Sequence, residues 1–184
     1  MGGRLIVIPT DTVYGIGTRP DDPAATARVF QAKGRPRDLE LPVLVPSIEV
    51  AETVGQLGNA GKTLAERFWP GALTLVVRRT PASEDWALGN DGETIGLRIP
   101  DHAVGLAILS GTGPLAVTSA NISGEPTPET CGEIQELFGD KVAVYVCEEG
   151  PLGDRPSTVV DVSGAEPRIL REGAIQLDEV RRVL

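Results

Sequence analysis

Cations at the ends of predicted strands could bind a negatively charged ligand. Lys33 and Arg35 flank Gly34 directly after a predicted helix, and Arg98 and Arg171 lie within or beside apolar strands. A charged side chain in such a strand must meet a counter-charge or reach water, because an unpaired buried charge costs several kcal/mol. The four cations could therefore pair with the chain's own 26 carboxylates or bind anionic groups of a ligand.

Small hydroxyl and amide side chains cluster in the same kind of place. The segment 118–124 follows a predicted strand directly, and Ser157 and Thr158 precede another. Loops at the ends of sheet strands are where α/β proteins bind ligands, although Ser and Asn are also common in turns and helix caps. Together with the cations, these residues predict a pocket for a small molecule that carries phosphate and carboxylate groups.

Other catalytic patterns are absent or misplaced. The string Gly61-Lys62-Thr63 resembles the end of a P-loop, but Gln56 stands where the first glycine is needed and no strand precedes it. The single histidine, His102, is interpreted as a solvated neighbour of a helix cap. Ser119 and Ser157 both lie outside a G-x-S-x-G motif, so covalent catalysis by a serine is not expected.

The composition is that of a globular chain. Its 184 residues are 41% hydrophobic and 23% charged, which predicts one domain over 1–184 and excludes global disorder. The net charge of −9, without a basic run, disfavours tight binding to nucleic acid. Cys131 and Cys147 form no zinc motif and predict no disulfide. With neither a signal peptide nor a membrane-spanning run in the sequence, we expect a reduced, cytoplasmic setting.

Short apolar runs alternate with helical segments, which predicts an α/β domain with an open, twisted, mixed sheet. The predicted strands are 5–8, 41–45, 73–77, 94–99, 115–118, 142–146, 158–162 and 168–170. The predicted helices are 23–33, 47–54, 59–68, one after Pro100 capped by Asp101, 127–138, and one from 178 onward. Segment 10–15 is predicted to be a polar loop, and 81–92 a surface loop.

Six strings, in this order, closely resemble the motifs of the YrdC-like family, the threonylcarbamoyl-AMP synthases. They are Pro9-Thr10-Asp11-Thr12-Val13-Tyr14-Gly15, Lys33-Gly34-Arg35-Pro36, Trp69-Pro70-Gly71, Gly96-Leu97-Arg98-Ile99-Pro100, Ser119-Ala120-Asn121-Ile122-Ser123-Gly124 and Ser157-Thr158-Val159-Val160-Asp161. The resemblance covers essentially the whole chain and corresponds to the family's short form. It implies the YrdC-like fold, an open α/β sheet with a deep cationic cavity.

The resemblance also implies an activity. Such an enzyme, a nucleotidyltransferase, joins L-threonine, bicarbonate and ATP into threonylcarbamoyl-AMP and pyrophosphate, for the threonylcarbamoyl-adenosine next to the anticodon of tRNAs. Mg²⁺ would arrive with ATP, because the sequence offers no dedicated ligand cage. The implied partners are proteins that transfer the product to tRNA, with at most weak RNA binding and no membrane.

Site residues follow from the matched motifs. Lys33 and Arg35 are expected to hold the phosphates and the carbonate as the catalytic pair. The positions expected to contact threonine are Thr12, Arg98, Val117 and Ser157. The positions expected to contact the nucleotide are Arg35, Thr94, Ser119, Asn121, Thr127 and Arg171. No residue is expected to bind a metal directly, and Tyr14 either walls the pocket or packs in the core.

Two features depart from the family pattern. The first strand begins almost at the N-terminus, where family members usually carry a helix, so a truncated start is one reading. Leu44 stands where longer members have a histidine.

Two alternatives share the fold: a non-catalytic RNA-binding or ribosome-maturation module, and a carbamoyltransferase domain of the hydrogenase-maturation type. The sequence lacks the basic patch typical of the first and the zinc-finger cysteines typical of the second.

Overall fold

A computed structural model describes residues 3–89, 92–148, 152–153 and 155–184. These residues form six α-helices and one ten-stranded sheet that mixes parallel and antiparallel pairs. The predicted α/β class with a mixed sheet is therefore confirmed. None of the described helices has the length and apolar character that a membrane crossing needs.

Most strands and helices coincide with the segments predicted from the sequence, and the short strands β2 and β4 are additional. The strands are Leu5–Ile8 (β1), Gly15–Thr18 (β2), Val43–Leu44 (β3), Gly55–Gln56 (β4), Leu73–Arg79 (β5), Thr94–Arg98 (β6), Leu115–Ser119 (β7), Val142–Tyr145 (β8), Thr158–Asp161 (β9) and Arg168–Arg171 (β10). The helices are Pro23–Lys33 (α1), Ile48–Val54 (α2), Gly58–Phe68 (α3), Ala103–Thr112 (α4), Cys131–Phe138 (α5) and Leu177–Arg181 (α6). A 3₁₀ turn at Gly139–Lys141 joins α5 to β8. The strand order is β10-β9-β5-β6-β3-β7-β2-β1-β8, and β4 pairs with β5 beside this path.

Helix α1 begins and ends at the residues that the sequence predicts. The Asp22 side chain accepts hydrogen bonds from the Ala24 and Ala25 amides, and Pro23 occupies the first helical position. Gly34 follows in the left-handed conformation, with φ of 60°, and ends the helix. This ending places Lys33 at the last turn and opens the loop that carries Arg35.

Two helix starts differ from the sequence predictions. Helix α4 is capped by His102 and not by Asp101, because the His102 ring nitrogen Nδ1 accepts the Gly105 amide at 3.3 Å. Helix α5 begins at Cys131 and not at Thr127. Thr130 and Glu133 form a reciprocal capping box, in which each side chain accepts a hydrogen bond from the backbone amide of the other residue. The helix therefore starts after Thr130, which lies three residues later than Thr127.

Strand β2 was not predicted, because its sequence Gly-Ile-Gly-Thr lacks the usual strand signature. The glycines are nevertheless required by packing, since a Cβ on Gly15 would overlap the Val117 side chain and one on Gly17 would overlap the Ala116 carbonyl. Strand β2 therefore fits closely between β1 and β7. The predicted polar loop ends where this strand begins.

The expectation that the two cysteines form no disulfide is wrong. Cys131 and Cys147 form a disulfide, with their Cα atoms 5.5 Å apart. The chain runs from α5 through the 3₁₀ turn into β8, and this return brings residue 147 back to the start of α5. A spacing of 16 residues reveals neither the return nor the pairing.

Candidate active site

A cavity of about 470 Å³ lies on the face of the sheet opposite the main core. Side chains alternate between the two faces of a strand, so each central strand contributes to both. On β5, Leu73, Leu75 and Val77 pack in the core, whereas Thr74 and Val76 line the cavity. The same alternation adds Thr94, Gly96 and Arg98 from β6, Val117 and Ser119 from β7, and Val159 and Asp161 from β9.

Three guanidinium groups line this cavity, those of Arg35, Arg98 and Arg171. The carboxylates on its wall, Glu40 and Asp161, pair with arginines outside the lining, Glu40 with Arg79 at 2.8 Å and Asp161 with Arg168 at 2.9 Å. Within the part of the chain that the structure describes, neither Arg35 nor Arg171 forms an ion pair.

The electrostatics of the cavity favour an anionic ligand. Burial, followed by the nearby Arg171 guanidinium, lowers the pKa of Arg35 from its ordinary value. Burial also lowers the pKa of Arg171. Both shifts mean that the protein destabilises these positive charges, and a bound anion would relieve that effect.

Arg98 combines a structural ion pair with free donors. Its Nε donates to the Gly71 carbonyl at 2.9 Å, Nη1 to the Thr12 hydroxyl at 2.9 Å and Nη2 to the Asp11 carboxylate at 2.5 Å. The side chain is only 7% exposed. A guanidinium has five N–H donors, so these three bonds leave one hydrogen on each terminal nitrogen without a partner among the described residues. Such a pair of donors suits the two oxygens of a carboxylate.

The loop after β1 is held by its own hydroxyl groups. The Thr10 hydroxyl accepts from the Thr12 and Val13 amides, at 3.2 and 3.3 Å, and donates to the Val13 carbonyl at 2.6 Å. This turn presents the Thr12 hydroxyl to Arg98. Asp11 and Thr10 were not among the predicted site residues, although both lie in the first motif string.

Two hydrogen-bonded hydroxyl groups lie in the part of the cavity wall that β5 and the start of β9 contribute. The Thr74 and Ser157 hydroxyls are hydrogen-bonded at 2.8 Å, and both residues line the cavity. Arg171 donates to the Ser157 carbonyl from Nε at 3.1 Å and from Nη2 at 2.9 Å. These two hydrogen bonds fix the Arg171 guanidinium against the backbone of Ser157. Thr74 was missed by the sequence analysis, because a single threonine in an apolar strand carries no signal.

Lys33 lies behind the cavity wall. Its ammonium donates to the Ser119 carbonyl at 2.5 Å, to the Asn121 carbonyl at 2.6 Å and to Asn121 Oδ1 at 3.1 Å, and the residue is 1% exposed. Burial, followed by the nearby Arg35, lowers the pKa of Lys33 to about 7. Asn121 Oδ1 also accepts from the Ser119 hydroxyl at 2.5 Å. Lys33 thus fixes the loop that carries Ser119, and its contact with substrate phosphates stays a prediction.

The predicted site residues fall into two groups, those that line the cavity and those that lie outside its lining. The cavity is lined by Thr12, Arg35, Thr94, Arg98, Val117, Ser119, Ser157 and Arg171. Lys33, Asn121 and Thr127 are outside this lining, and Thr127 lies in the irregular segment before α5. The structure thus brings eight of the eleven predicted positions together around one space.

Tyr14 and His102 both support the segment after β8. The Tyr14 side chain is buried, and its hydroxyl accepts from the Glu148 amide at 3.0 Å, which matches the packing interpretation. His102 Nε2 lies 3.2 Å from the Glu148 carboxylate, and its side chain is only 14% exposed. The expectation of a solvated histidine is therefore wrong.

Comparison with known proteins identifies the family to which this chain belongs. A family model described as Telomere recombination, covering Sua5, YciO and YrdC, matches residues 1–173. The chain belongs to the Sua5/YciO/YrdC family. The resemblance drawn from the six strings is thereby confirmed.

Relatives in the Sua5/YciO/YrdC family carry an enzymatic name. The threonylcarbamoyl-AMP synthase of Pyrococcus abyssi is 35% identical over 184 residues, which cover 99% of this chain and 54% of that protein. A Mycobacterium tuberculosis protein, whose threonylcarbamoyl-AMP synthase name is provisional, is 44% identical over 99% of this chain and 84% of its own length.

Solved structures of the Sua5/YciO/YrdC family share the fold. Pyrococcus abyssi Sua5 complexed with L-threonine matches with a TM-score of 0.92 and 35% identity, over 99% of this chain and 54% of that chain. Escherichia coli YciO matches with a TM-score of 0.87 and 26% identity, over 95% of this chain and 85% of that chain. This chain therefore spans about half of the Pyrococcus protein and most of the Escherichia protein.

Proposed function

We propose that this chain is an L-threonylcarbamoyladenylate synthase, which condenses L-threonine, bicarbonate and ATP to threonylcarbamoyl-AMP and pyrophosphate. The observation that carries the proposal is the 35% identity across 99% of the chain to a protein named threonylcarbamoyl-AMP synthase. The cavity supports it, because its volume of about 470 Å³ is within the usual range for small-molecule sites.

The threonine end of the cavity is centred on Arg98. Its two free N–H groups would bind the substrate carboxylate, in the arrangement that makes arginine–carboxylate pairs strong. The hydroxyls of Thr12 and Ser157 would bind the polar groups of the amino acid, and the backbone around Val117 would contact it as well. All four residues line the cavity together.

The nucleotide end of the cavity is centred on Arg35 and Arg171. Both guanidiniums lack an ion pair among the described residues, so both are available to phosphate oxygens. Thr94 on β6 and Ser119 on β7 add side-chain hydroxyls to the cavity lining. We therefore propose that the cavity serves as a cationic binding site, although the chain as a whole carries a net charge of −9.

The reaction needs no protein nucleophile. The neutral threonine amine and bicarbonate form a carbamate with loss of water. A carbamate oxygen then attacks the α-phosphorus of ATP, the bond to the β-phosphate oxygen breaks, and pyrophosphate leaves. The protein would supply alignment of the two substrates and fixed positive charge where negative charge develops.

We also propose that Mg²⁺ enters with ATP. In the described ranges, no three residues among the His, Cys, Asp and Glu side chains come together as a metal site. The phosphate oxygens would therefore supply much of the metal's coordination, as is common for Mg²⁺ in nucleotide enzymes. The ion would neutralise phosphate charge while Arg35 and Arg171 hold the oxygens that it leaves free.

The product would be passed to proteins that transfer the threonylcarbamoyl group to tRNA, in the cytoplasm, where tRNA is modified. The alternative, a non-catalytic RNA-binding or ribosome-maturation module, is not favoured, because a net charge of −9 opposes binding to a polyanion. A strong, salt-dependent shift of labelled tRNA by this protein would support that alternative.

Pyrophosphate release is expected to require threonine and bicarbonate together, because the attacking carbamate contains both. The measurement is a coupled pyrophosphate assay in bicarbonate-depleted buffer, with each substrate added back separately and then jointly. Serine in place of threonine is the matched control for the amino acid. Equal release from ATP alone would instead identify a nucleotidase.

A further inference from the structure

Arg79 is a buried arginine at the end of β5 that lies outside the lining of the cavity. Its side chain is 7% exposed. The Nη2 group donates to the Glu40 carboxylate at 2.8 Å, and Nε donates to the Thr94 carbonyl at 2.8 Å. The Nη1 group donates to the Ser83 carbonyl at 3.2 Å and the Trp86 carbonyl at 2.8 Å. One guanidinium thus joins three separate segments of the chain.

Two of these segments belong to the cavity wall. Glu40 and Thr94 both line the cavity. The backbone carbonyl of Glu40 accepts a hydrogen bond from Arg35 Nη2 at 3.0 Å, and the Leu39 carbonyl accepts one from Arg35 Nε at 3.0 Å. Arg79 therefore holds the Glu40 side chain, while the main chain of the same residue holds Arg35.

We propose that Arg79 is a positioning residue for the nucleotide end of the cavity. It acts through Glu40, which sets Arg35, and through the main chain of Thr94. This inference rests on the proposed function, because Arg35 and Thr94 are the residues assigned there to ATP. Arg79 itself lies outside the cavity lining, so it would act without direct contact to ATP.

The geometry requires an arginine at this position. The hydrogen bonds leave the guanidinium in different directions within one plane, toward β6, toward the loop after α1 and toward the loop after β5. A lysine ammonium has three donors at a single point and cannot span these acceptors together. Burial raises the pKa of Glu40, and the hydrogen bond from the Arg79 guanidinium opposes part of this rise.

The test compares Arg79→Lys with Arg78→Lys. Arg78 is the adjacent residue and is exposed on the opposite face of β5, and its one side-chain hydrogen bond among the described residues is to the Ser163 carbonyl. The Kd of α,β-methylene-ATP is measured by calorimetry without threonine, alongside the KM for threonine and the melting temperature. We expect Arg79→Lys to raise the Kd about tenfold or more, with the KM for threonine within about twofold of wild type.

A second variant, Glu40→Gln, keeps the shape of the side chain and one acceptor oxygen, and should shift the Kd in the same direction. If Arg79 had a merely structural role, Arg79→Lys would lower the melting temperature but leave the Kd of the folded protein unchanged. That result would overturn this inference and leave the proposed function standing. A Kd that rises equally in Arg78→Lys would also overturn it. A wild-type protein that binds no α,β-methylene-ATP would overturn the inference together with the proposed function.

Discussion

Replacing Arg35 with alanine is expected to lower the turnover number about 100-fold or more at saturating substrates, the scale on which one preorganised donor contributes to a transition state. Arg35 lines the cavity, forms no ion pair within the described ranges, and is held by the carbonyls of Leu39 and Glu40. Its positive charge is thus fixed in place before the substrate arrives, and alanine removes it. Turnover is measured as the rate of adenylate formation.

Arg37→Ala is the matched control, because Arg37 lies two residues away, is exposed, and contacts the ring of Phe30 at 5.6 Å. It should retain near-normal turnover. Arg35→Ala is a cleaner test than Lys33→Ala, since Lys33 is buried behind the wall and its loss would also release the loop that carries Ser119. Turnover close to wild type in Arg35→Ala would place the reaction centre elsewhere.

Replacing Arg98 with lysine is expected to raise the KM for threonine by about 10- to 100-fold, because a charge-assisted, two-pronged contact to a carboxylate contributes about 1.5 to 3 kcal/mol. Lysine keeps a positive charge beside Asp11 but loses the planar pair of donors that faces the cavity. The KM for ATP should change far less. Both constants are measured under steady-state conditions with the other substrate saturating.

The matched control is Arg19→Lys, which alters an arginine–aspartate pair that is exposed and is not part of the cavity lining. Exposed pairs contribute about 0 to 1 kcal/mol to stability, so neither KM should change. If Arg98→Lys raised only the KM for ATP, then Arg98 would belong to the nucleotide end, and the assignment of the threonine carboxylate would be wrong.

Much of the architecture could be predicted because local chemistry and global fold agree there. Asp22-Pro23 and Gly34 define both ends of α1 by side-chain capping and a left-handed backbone, which operate within a few residues. The alternation along β5 and β6 then decides which residues face the cavity. Motif strings that surround Arg98 and Ser157 identify site residues because they lie at strand ends, where ligand-binding residues concentrate.

The rest depends on contacts between distant segments. Gly15–Thr18 forms a strand because β1 and β7 accept glycines between them, and the sequence of that segment alone has low strand propensity. The burial of Lys33 depends on carbonyls of residues 119 and 121, which are 86 and 88 positions away. Arg79 and Thr74 likewise gain their roles only from partners in other strands and loops. No local pattern encodes such partners.

Mass spectrometry of the reaction product distinguishes a threonylcarbamoyl-adenylate synthase from other ATP-consuming enzymes. The purified protein is incubated with ATP, L-threonine, Mg²⁺ and ¹³C-labelled bicarbonate, and the mixture is analysed at short times because the mixed anhydride hydrolyses. We expect a threonylcarbamoyl-adenylate that carries the labelled carbon, that appears together with pyrophosphate, and that is lost in Arg35→Ala. Conversion of ATP to AMP or ADP without any labelled adenylate would show that this chain is not a threonylcarbamoyl-adenylate synthase.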